Sequence, residues 1–210
     1  MRQATAGAPP GEPDVSAPSD APTPPDASGA LAVPGVGEAA CRDFYARLAS
    51  GVTVVTAQGP DGPAGSTVSA VTSLSADPPL LLVCLGTGSR TLAVIQEQGW
   101  FAVNLLAAPQ RARAERFADP RAGTAERFAG TGHHQVLGVP VLADTLGWSV
   151  CSVEDLRRYG DHGLLVGRIA AAHTAPGAPL LWHDRSFHTL EGRGVPLSAP
   201  PAPRPPLEAP

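Results

Sequence analysis

The stretch GVTVVTAQGPDGPAGSTVSAVTSLSADPPLLLVCL, residues Gly51–Leu85, decides the fold. Val52-Thr53-Val54-Val55-Thr56 is β-branched throughout. Such side chains pack well on a pleated surface and are hindered in a helix, so this segment reads as a strand. Pro60-Asp61-Gly62-Pro63 has the composition of a turn. Ser66–Ser75 (STVSAVTSLS) alternates small polar with apolar residues, which predicts a strand with one polar face, paired with 52–56 as a hairpin. Asp77-Pro78-Pro79 interrupts the chain. The continuous apolar run Leu80–Leu85 then predicts a fully buried strand.

Working outward, Glu38–Ala49 reads as a helix with Cys41, Tyr45 and Leu48 on one apolar stripe, ended by Gly51. On the other side, Gly86-Thr87-Gly88 leads into a helix over Ser89–Gln98, a strand over Trp100–Leu106 and a helix over Pro109–Ala118. Residues 119–140 are loop-rich, and Val141–Glu154, Gly163–Ala172, Pro179–His183 and Phe187–Leu190 read as strands. Seven or eight strands with three helices do not alternate regularly, which argues against a doubly wound parallel sheet. A mainly β, antiparallel barrel, closed or nearly closed, with attached helices fits better.

Composition separates this body from its ends. Of 24 prolines, eight lie in residues 1–40 and seven in 194–210. Residues 1–37 and 194–210 are accordingly expected to be disordered tails, flanking one domain over 38–193. A body of about 150 residues buries roughly two-thirds of its unfolded surface and folds alone. Three cysteines in 210 residues exclude a disulfide-stapled module, and no CxxC or Cys/His spacing offers a metal site. Cys84 and Cys151 sit in apolar segments and read as buried structural thiols. The net charge of −4 belongs to the N-terminal tail, so no basic face for nucleic acid is implied. All 15 basic residues are Arg, which excludes Schiff-base and P-loop lysine chemistry. The longest apolar run is far short of the ~20 residues of a membrane span, and the first 30 residues lack a signal-peptide core. The expectation is a soluble cytoplasmic protein.

Three places can carry chemistry. Gly86-Thr87-Gly88-Ser89-Arg90-Thr91 follows a buried strand and opens a helix, where free N–H groups and the helix dipole favour an anion. Ser89 and Thr91 add hydroxyls and Arg90 a fixed cation; the residues alone leave open whether this is a phosphate site or a helix cap. Thr67, Ser69, Ser73 and Ser75 form a polar row that either faces water or lines a ligand rich in acceptors. Tyr159-Gly160-Asp161-His162-Gly163 is a tight loop displaying His162, and an imidazole donates, accepts or shuttles a proton at neutral pH. His133, His134, His173, His183 and His188 lack partners at metal spacing.

Together these segments resemble the flavin reductase family of FMN-binding split-barrel enzymes. The matching text begins at FYARLASGVTVVTAQG and runs through SRT, WFAVNLL, ERFAG, YGDHGLLVGRI and PLLWHDRSFHTL, about residues 41–190. The resemblance implies an antiparallel, Greek-key-like split β-barrel. It implies hydride transfer from NADH or NADPH to FMN or FAD, a homodimer, and a separate flavin-dependent monooxygenase receiving reduced flavin. By the same resemblance, Thr67, Val68, Ser69, Ser73, Leu74 and Ser75 surround the flavin, and Ser89, Arg90 and Thr91 contact its phosphate. Arg127-Phe128 and His162 match positions near the flavin and nicotinamide, with His162 the catalytic candidate. Ala70 stands where a second Ser is frequent, and Trp182 and Phe187 replace frequent tyrosines. Rival readings are a non-catalytic flavin-binding barrel and a pyridoxamine-phosphate-oxidase-like enzyme on the same barrel.

Overall fold

The computed structural model describes residues 35–190; the expected tails fall almost wholly outside them. Four α-helices are present among the described residues, α1 (Glu38–Ala46), α2 (Arg90–Gln98), α3 (Arg111–Ala118) and α4 (Thr124–Phe128), with a 3-10 turn over Ala108–Gln110 leading into α3. The strands are β1 (Ser50–Gly51), β2 (Thr53–Gly59), β3 (Gly62–Val68), β4 (Val71–Ala76), β5 (Pro79–Gly86), β6 (Trp100–Leu105), β7 (His133–Val136), β8 (Val139–Leu142), β9 (Gly147–Tyr159), β10 (His162–Thr174), β11 (Leu180–His183) and β12 (Ser186–Thr189).

Seven strands form one antiparallel sheet in the order β3-β2-β6-β9-β10-β5-β4. The mainly β, antiparallel architecture is as expected. The expected single strand Ser66–Ser75 is instead two, β3 and β4, at opposite ends of the sheet and joined only by Ser69-Ala70. Two residues span less than ~8 Å, and seven strands laid flat span several times that, so the sheet must curl until its edges meet. No ladder joins β3 to β4, and the barrel stays unclosed along that seam. The polar–apolar alternation of 66–75 falters at Ala70-Val71, two apolar residues in succession at the link, which is the one local mark of the break.

The core lies inside the curl: Val55, Val83, Ile95, Phe101 and Leu165 are fully buried. Gly167 is required there, since a Cβ would stand 2.4 Å from the Phe101 ring. Leu80–Leu85 is not buried on both sides, as the apolar run suggested. Leu81, Val83 and Leu85 face the core, while Leu80, Leu82 and Cys84 are half-buried on the outer face. Helix α2 packs Thr91, Leu92 and Ile95 inward, starts on Ser89 and ends on Gly99 in the left-handed region (φ 72°). Helix α1 does form, ending three residues earlier than expected, at Ala46, but its stripe faces outward. Tyr45 and Leu48 are exposed, as is Phe44.

The stretch 119–140 holds α4 and β7, and β8 is separated from β9 by a turn over 143–146. Asn104 docks this insertion: it donates to Val54 O at 2.9 Å and accepts from Leu142 N at 2.8 Å, while Thr56 Oγ1 reaches Pro140 O at 2.5 Å. The β11–β12 turn places Asp184 and Arg185 at φ 48° and 58°, the left-handed pair of a two-residue hairpin. No helix among the described residues is long and apolar enough to cross a membrane.

Candidate functional site

The site builds on the seam. Strand β3 brings Ser66 to the start of α2, where its Oγ lies 2.8 Å from Thr91 Oγ1 and 3.5 Å from Ser89 Oγ. Ser89 caps the helix, accepting from Leu92 N at 3.4 Å. The N–H groups of Arg90 and Thr91 fall in the first turn, where no helical carbonyl is available to them. Thr67 turns the other way and donates to Ala114 O at 2.6 Å, tying β3 to α3. Arg127 closes the far wall. Its Nη1 donates to Gly65 O and its Nη2 to Asp119 O, both at 2.7 Å, and its Nε is buried without a partner. Gly65 must be glycine, because a Cβ would sit 2.7 Å from Phe117 Cε1.

These groups line a cleft of about 420 Å³, with Gly88, Gly123 and Thr124 on its walls. Its lining contains two arginines, Arg90 and Arg127, and no carboxylate. The volume lies in the ~300–1,000 Å³ range of small-molecule sites. Arg90 reaches out toward Asp61, 3.9 Å away, with both side chains exposed.

A second cleft of about 280 Å³ shares Ser66, Thr67 and Ser89 with the first and continues past Val68, Ser69 and Ala70 to Cys84, Gly86 and His162. His162 is not on a free loop. It is the first residue of β10, opposite Gly86 of β5 and Tyr159 of β9. Thr87 pins the preceding turn, its N–H donating to Asp161 O at 2.8 Å and its hydroxyl at 3.1 Å. The anion loop and the histidine turn are thus one hydrogen-bonded unit. His162 Nδ1 lies 2.9 Å from Asp161 Oδ1, and Nε2 has no partner among the described residues. That hydrogen bond from His162, more than any other influence, holds the Asp161 carboxyl below its usual range. Burial pushes the Cys84 thiol up, so it stays protonated at neutral pH.

Of the residues singled out by sequence, Thr67, Val68, Ser69, Ser89, Arg90, Thr91, Arg127 and His162 line these two joined clefts. Ser73, Leu74 and Ser75 do not; they lie on the edge strand β4, with Leu74 the bulged residue and exposed. Phe128 lies in the core behind the cleft, edge-on to Phe117 at 5.0 Å. Sequence reasoning passed over Ser66 and Gly65. Ser66 stands next to Thr67 in the same polar stretch, on the opposite face of the strand, and its hydroxyl was legible there; Gly65 carries no local signal.

Residues 45–191 match the family described as flavin reductase like domain. The reductase component of 4-nitrophenol 4-monooxygenase/4-nitrocatechol 2-monooxygenase from Rhodococcus opacus is 37% identical over 146 residues, covering 70% of this chain and 77% of that protein. A probable flavin reductase from Rhizobium meliloti is 40% identical over 134 residues, 63% of this chain; the match spans only 42% of that protein's length. The structure of the NADH:FAD oxidoreductase SgcE6 of Streptomyces globisporus, in complex with NAD and FAD fragments, superposes with a TM-score of 0.66 at 28% identity. That superposition covers 76% of this chain and 93% of the other.

Proposed function

The chain belongs to the flavin reductase family, and from that premise we propose that it transfers hydride from NADH or NADPH to FMN or FAD and hands reduced flavin to a separate monooxygenase. One observation carries the reading: two adjoining clefts share Ser66, Thr67 and Ser89, the first acid-free and doubly cationic at Arg90 and Arg127, the second holding a histidine. A flavin phosphate fits the first cleft. Three hydroxyls and two helix N–H groups are donors, the Arg127 guanidinium adds positive charge behind them, and an anion there is favoured by the dipole of α2.

When bound, the flavin accepts the hydride that the nicotinamide supplies; the cofactors carry the redox chemistry. The chain's part is placement and charge. The backbone of Val68–Ala70, tied to β5 by Cys84 N donating to Ala70 O at 3.0 Å, and Gly86 line one continuous surface on which a flat ring rests. The Ser69 hydroxyl and N–H groups along Val68–Ala70 stabilise negative charge growing along one ring edge, while Thr67, its hydroxyl spent on Ala114 O, holds β3 in place. His162, oriented by Asp161 through Nδ1, presents Nε2 toward the hydride donor. Ser73, Leu74 and Ser75 share in flavin binding through a homodimer that sets β4 against the cleft of a second copy. Exposed Phe44, Tyr45, Leu48 and Leu74 supply apolar surface for such a dimer. Its site of action is the cytoplasm.

Purified protein mixed with NADH and either flavin tests the activity. Loss of nicotinamide absorbance that requires flavin supports it. Flavin binding without turnover would leave a non-catalytic module, and turnover of a pyridoxamine phosphate instead would place the chain among the oxidases of this barrel. Light scattering tests the dimer, and a fully active monomer overturns it.

A further inference from the structure

Thr87 stands between the two clefts without lining either. It lies in the turn from β5 to α2 that Ser89 N closes on Gly86 O at 2.9 Å. Its neighbours do line the clefts: Gly88 the anion cleft, Gly86 the one that holds His162. The Thr87 N–H and hydroxyl both donate to Asp161 O, at 2.8 Å and 3.1 Å. Outside the β9–β10 hairpin and its ladder to β5, no other hydrogen bond reaches the Gly160-Asp161 turn among the described residues. The Asp161 side chain is 94% exposed and that of His162 53%, so packing fixes neither rotamer. The direction of the imidazole follows the main chain at Asp161, and Thr87 holds that main chain from outside the hairpin.

We propose that Thr87 is a positioning residue that couples a phosphate in the anion cleft to the placement of the hydride donor by His162. The role rests on the flavin-reductase reading and deepens it. An anion at the N-terminus of α2 draws on the N–H groups that follow Gly88 and fixes the turn in which Thr87 sits. The fixed turn aims both Thr87 donors, and Asp161 O, with two lone pairs, accepts both. A carbonyl held by two donors cannot rotate without losing one of them. The Asp161 carboxylate that meets His162 Nδ1 at 2.9 Å therefore keeps its place. Branching at Cβ restricts χ1 of Thr87 and keeps its hydroxyl on the carbonyl. Valine has the same shape without the donor, and serine has the donor with a freer χ1. By linkage, the factor that a phosphate adds to nicotinamide binding is the factor that nicotinamide adds to the binding of a phosphate-bearing flavin. FMN and riboflavin carry the same ring, so on this account they differ in how well the hydride donor binds beside them as well as in their own affinity.

The test uses the full chain with Thr87→Val and Thr87→Ser. Stopped-flow reduction of pre-bound FMN and of pre-bound riboflavin gives the NADH concentration at half-saturation for each flavin. In the wild type, NADH is expected to saturate at about fivefold lower concentration with FMN than with riboflavin. In Thr87→Val that ratio should fall below about twofold, while FMN affinity measured without NADH stays within about twofold. Thr87→Ser should restore most of the ratio. A hydroxyl that merely staples the loop would weaken FMN and NADH together and leave the ratio unchanged; that result, or equal NADH saturation with both flavins in the wild type, overturns the proposal. A second measurement needs no turnover. The His162 ring resonances, followed by NMR during titration with inorganic phosphate, should shift in the wild type and in Thr87→Ser and stay in place in Thr87→Val. No shift in the wild type, or an equal shift in Thr87→Val, also overturns the coupling. If phosphate moves His162 only where Thr87 keeps its hydroxyl and no flavin is reduced, the coupling stands and the flavin-reductase reading falls; if FMN is reduced and the ratio survives in Thr87→Val, the reverse holds.

Discussion

Replacing Gly65 with alanine adds one methyl at the point where the fold and the cleft depend on each other. The new Cβ would meet Phe117 Cε1 at 2.7 Å and Cδ1 at 2.9 Å, and Thr56 Cγ2 at 3.3 Å. Phe117 is 1% exposed and wedged against Phe128, so its ring has nowhere to swing. The alternative is for β3 to move away from α3. That shift strains the Thr67 bond to Ala114 and the Arg127 bond to Gly65 O, which hold the two walls of the anion cleft together. Overpacking of this kind costs about 1–3 kcal/mol. In a domain of this size each kcal/mol lowers Tm by roughly 2–4 °C, so a fall of about 5 °C is expected. Flavin affinity should fall several-fold with it. The assay is thermal unfolding with and without FMN, alongside Gly51→Ala, whose Cβ meets nothing within 4 Å and which lies outside the cleft. An unchanged Tm and an unchanged FMN affinity in Gly65→Ala would refute the argument that β3 and α3 are locked through this contact.

Arg90→Ala should weaken FMN more than riboflavin, and Asp61→Asn, which releases Arg90 from its ion pair, should tighten FMN; equal effects on both flavins would place the phosphate elsewhere. His162→Ala should slow reduction of pre-bound flavin by up to ~100-fold or raise the nicotinamide KM, read by stopped flow, while flavin affinity holds. Asp161→Ala should follow His162→Ala in direction, and Asp161→Asn, which still accepts from Nδ1, should restore most of the rate. The lowered Asp161 carboxyl means that its hydrogen bond to His162 is intact above the ordinary carboxylate value of ~3.9 and is lost as pH falls through the lower folded value, so Asp161 contributes no slope to the rate between pH ~5 and ~8. Alkylation should label Cys41 first and Cys151, pushed up to about 11 by burial, last, and bound FMN should protect Cys84; labelling of Cys84 indifferent to FMN would remove the flavin from that wall.

The strands most plainly written in the sequence were those whose signal is local. Val52–Thr56 is branched throughout, and Trp100–Leu105 is bounded by Gly99. Helix α2 carries its own cap and terminator. What escaped depends on distant partners. The division of 66–75 between two sheet edges is set by pairing to β2 on one side and β5 on the other, and the lapse of alternation at Ala70-Val71 is too slight to announce it. The strand β7 and helix α4 are short: β7 forms by pairing with β8, which Asn104 and Thr56 on other strands hold at Leu142 and Pro140, and α4 is tied to β3 by Arg127 donating to Gly65 O. Within the site, hydroxyls and charges were legible because their chemistry shows in the residue type. Gly65 and the outward face of α1 were not, since both are defined by what lies opposite.

The two-residue link at Ser69-Ala70 has a consequence for how the protein acquires its activity. Ser66 meets Ser89 and Thr91 across 23 and 25 residues of chain, Arg127 meets Gly65 across 62, and His162 enters from a strand almost a hundred positions beyond Ser66. None of these pairs is brought near by a local turn. They come together only after β2, β6, β9, β10 and β5 have laddered in turn and bent the ribbon far enough for its ends to touch. Contacts so remote along the chain are slow to form and late to appear. The anion cleft is therefore a product of the last cooperative step, and a partly folded chain, however rich in β-structure, has no site to occupy with flavin.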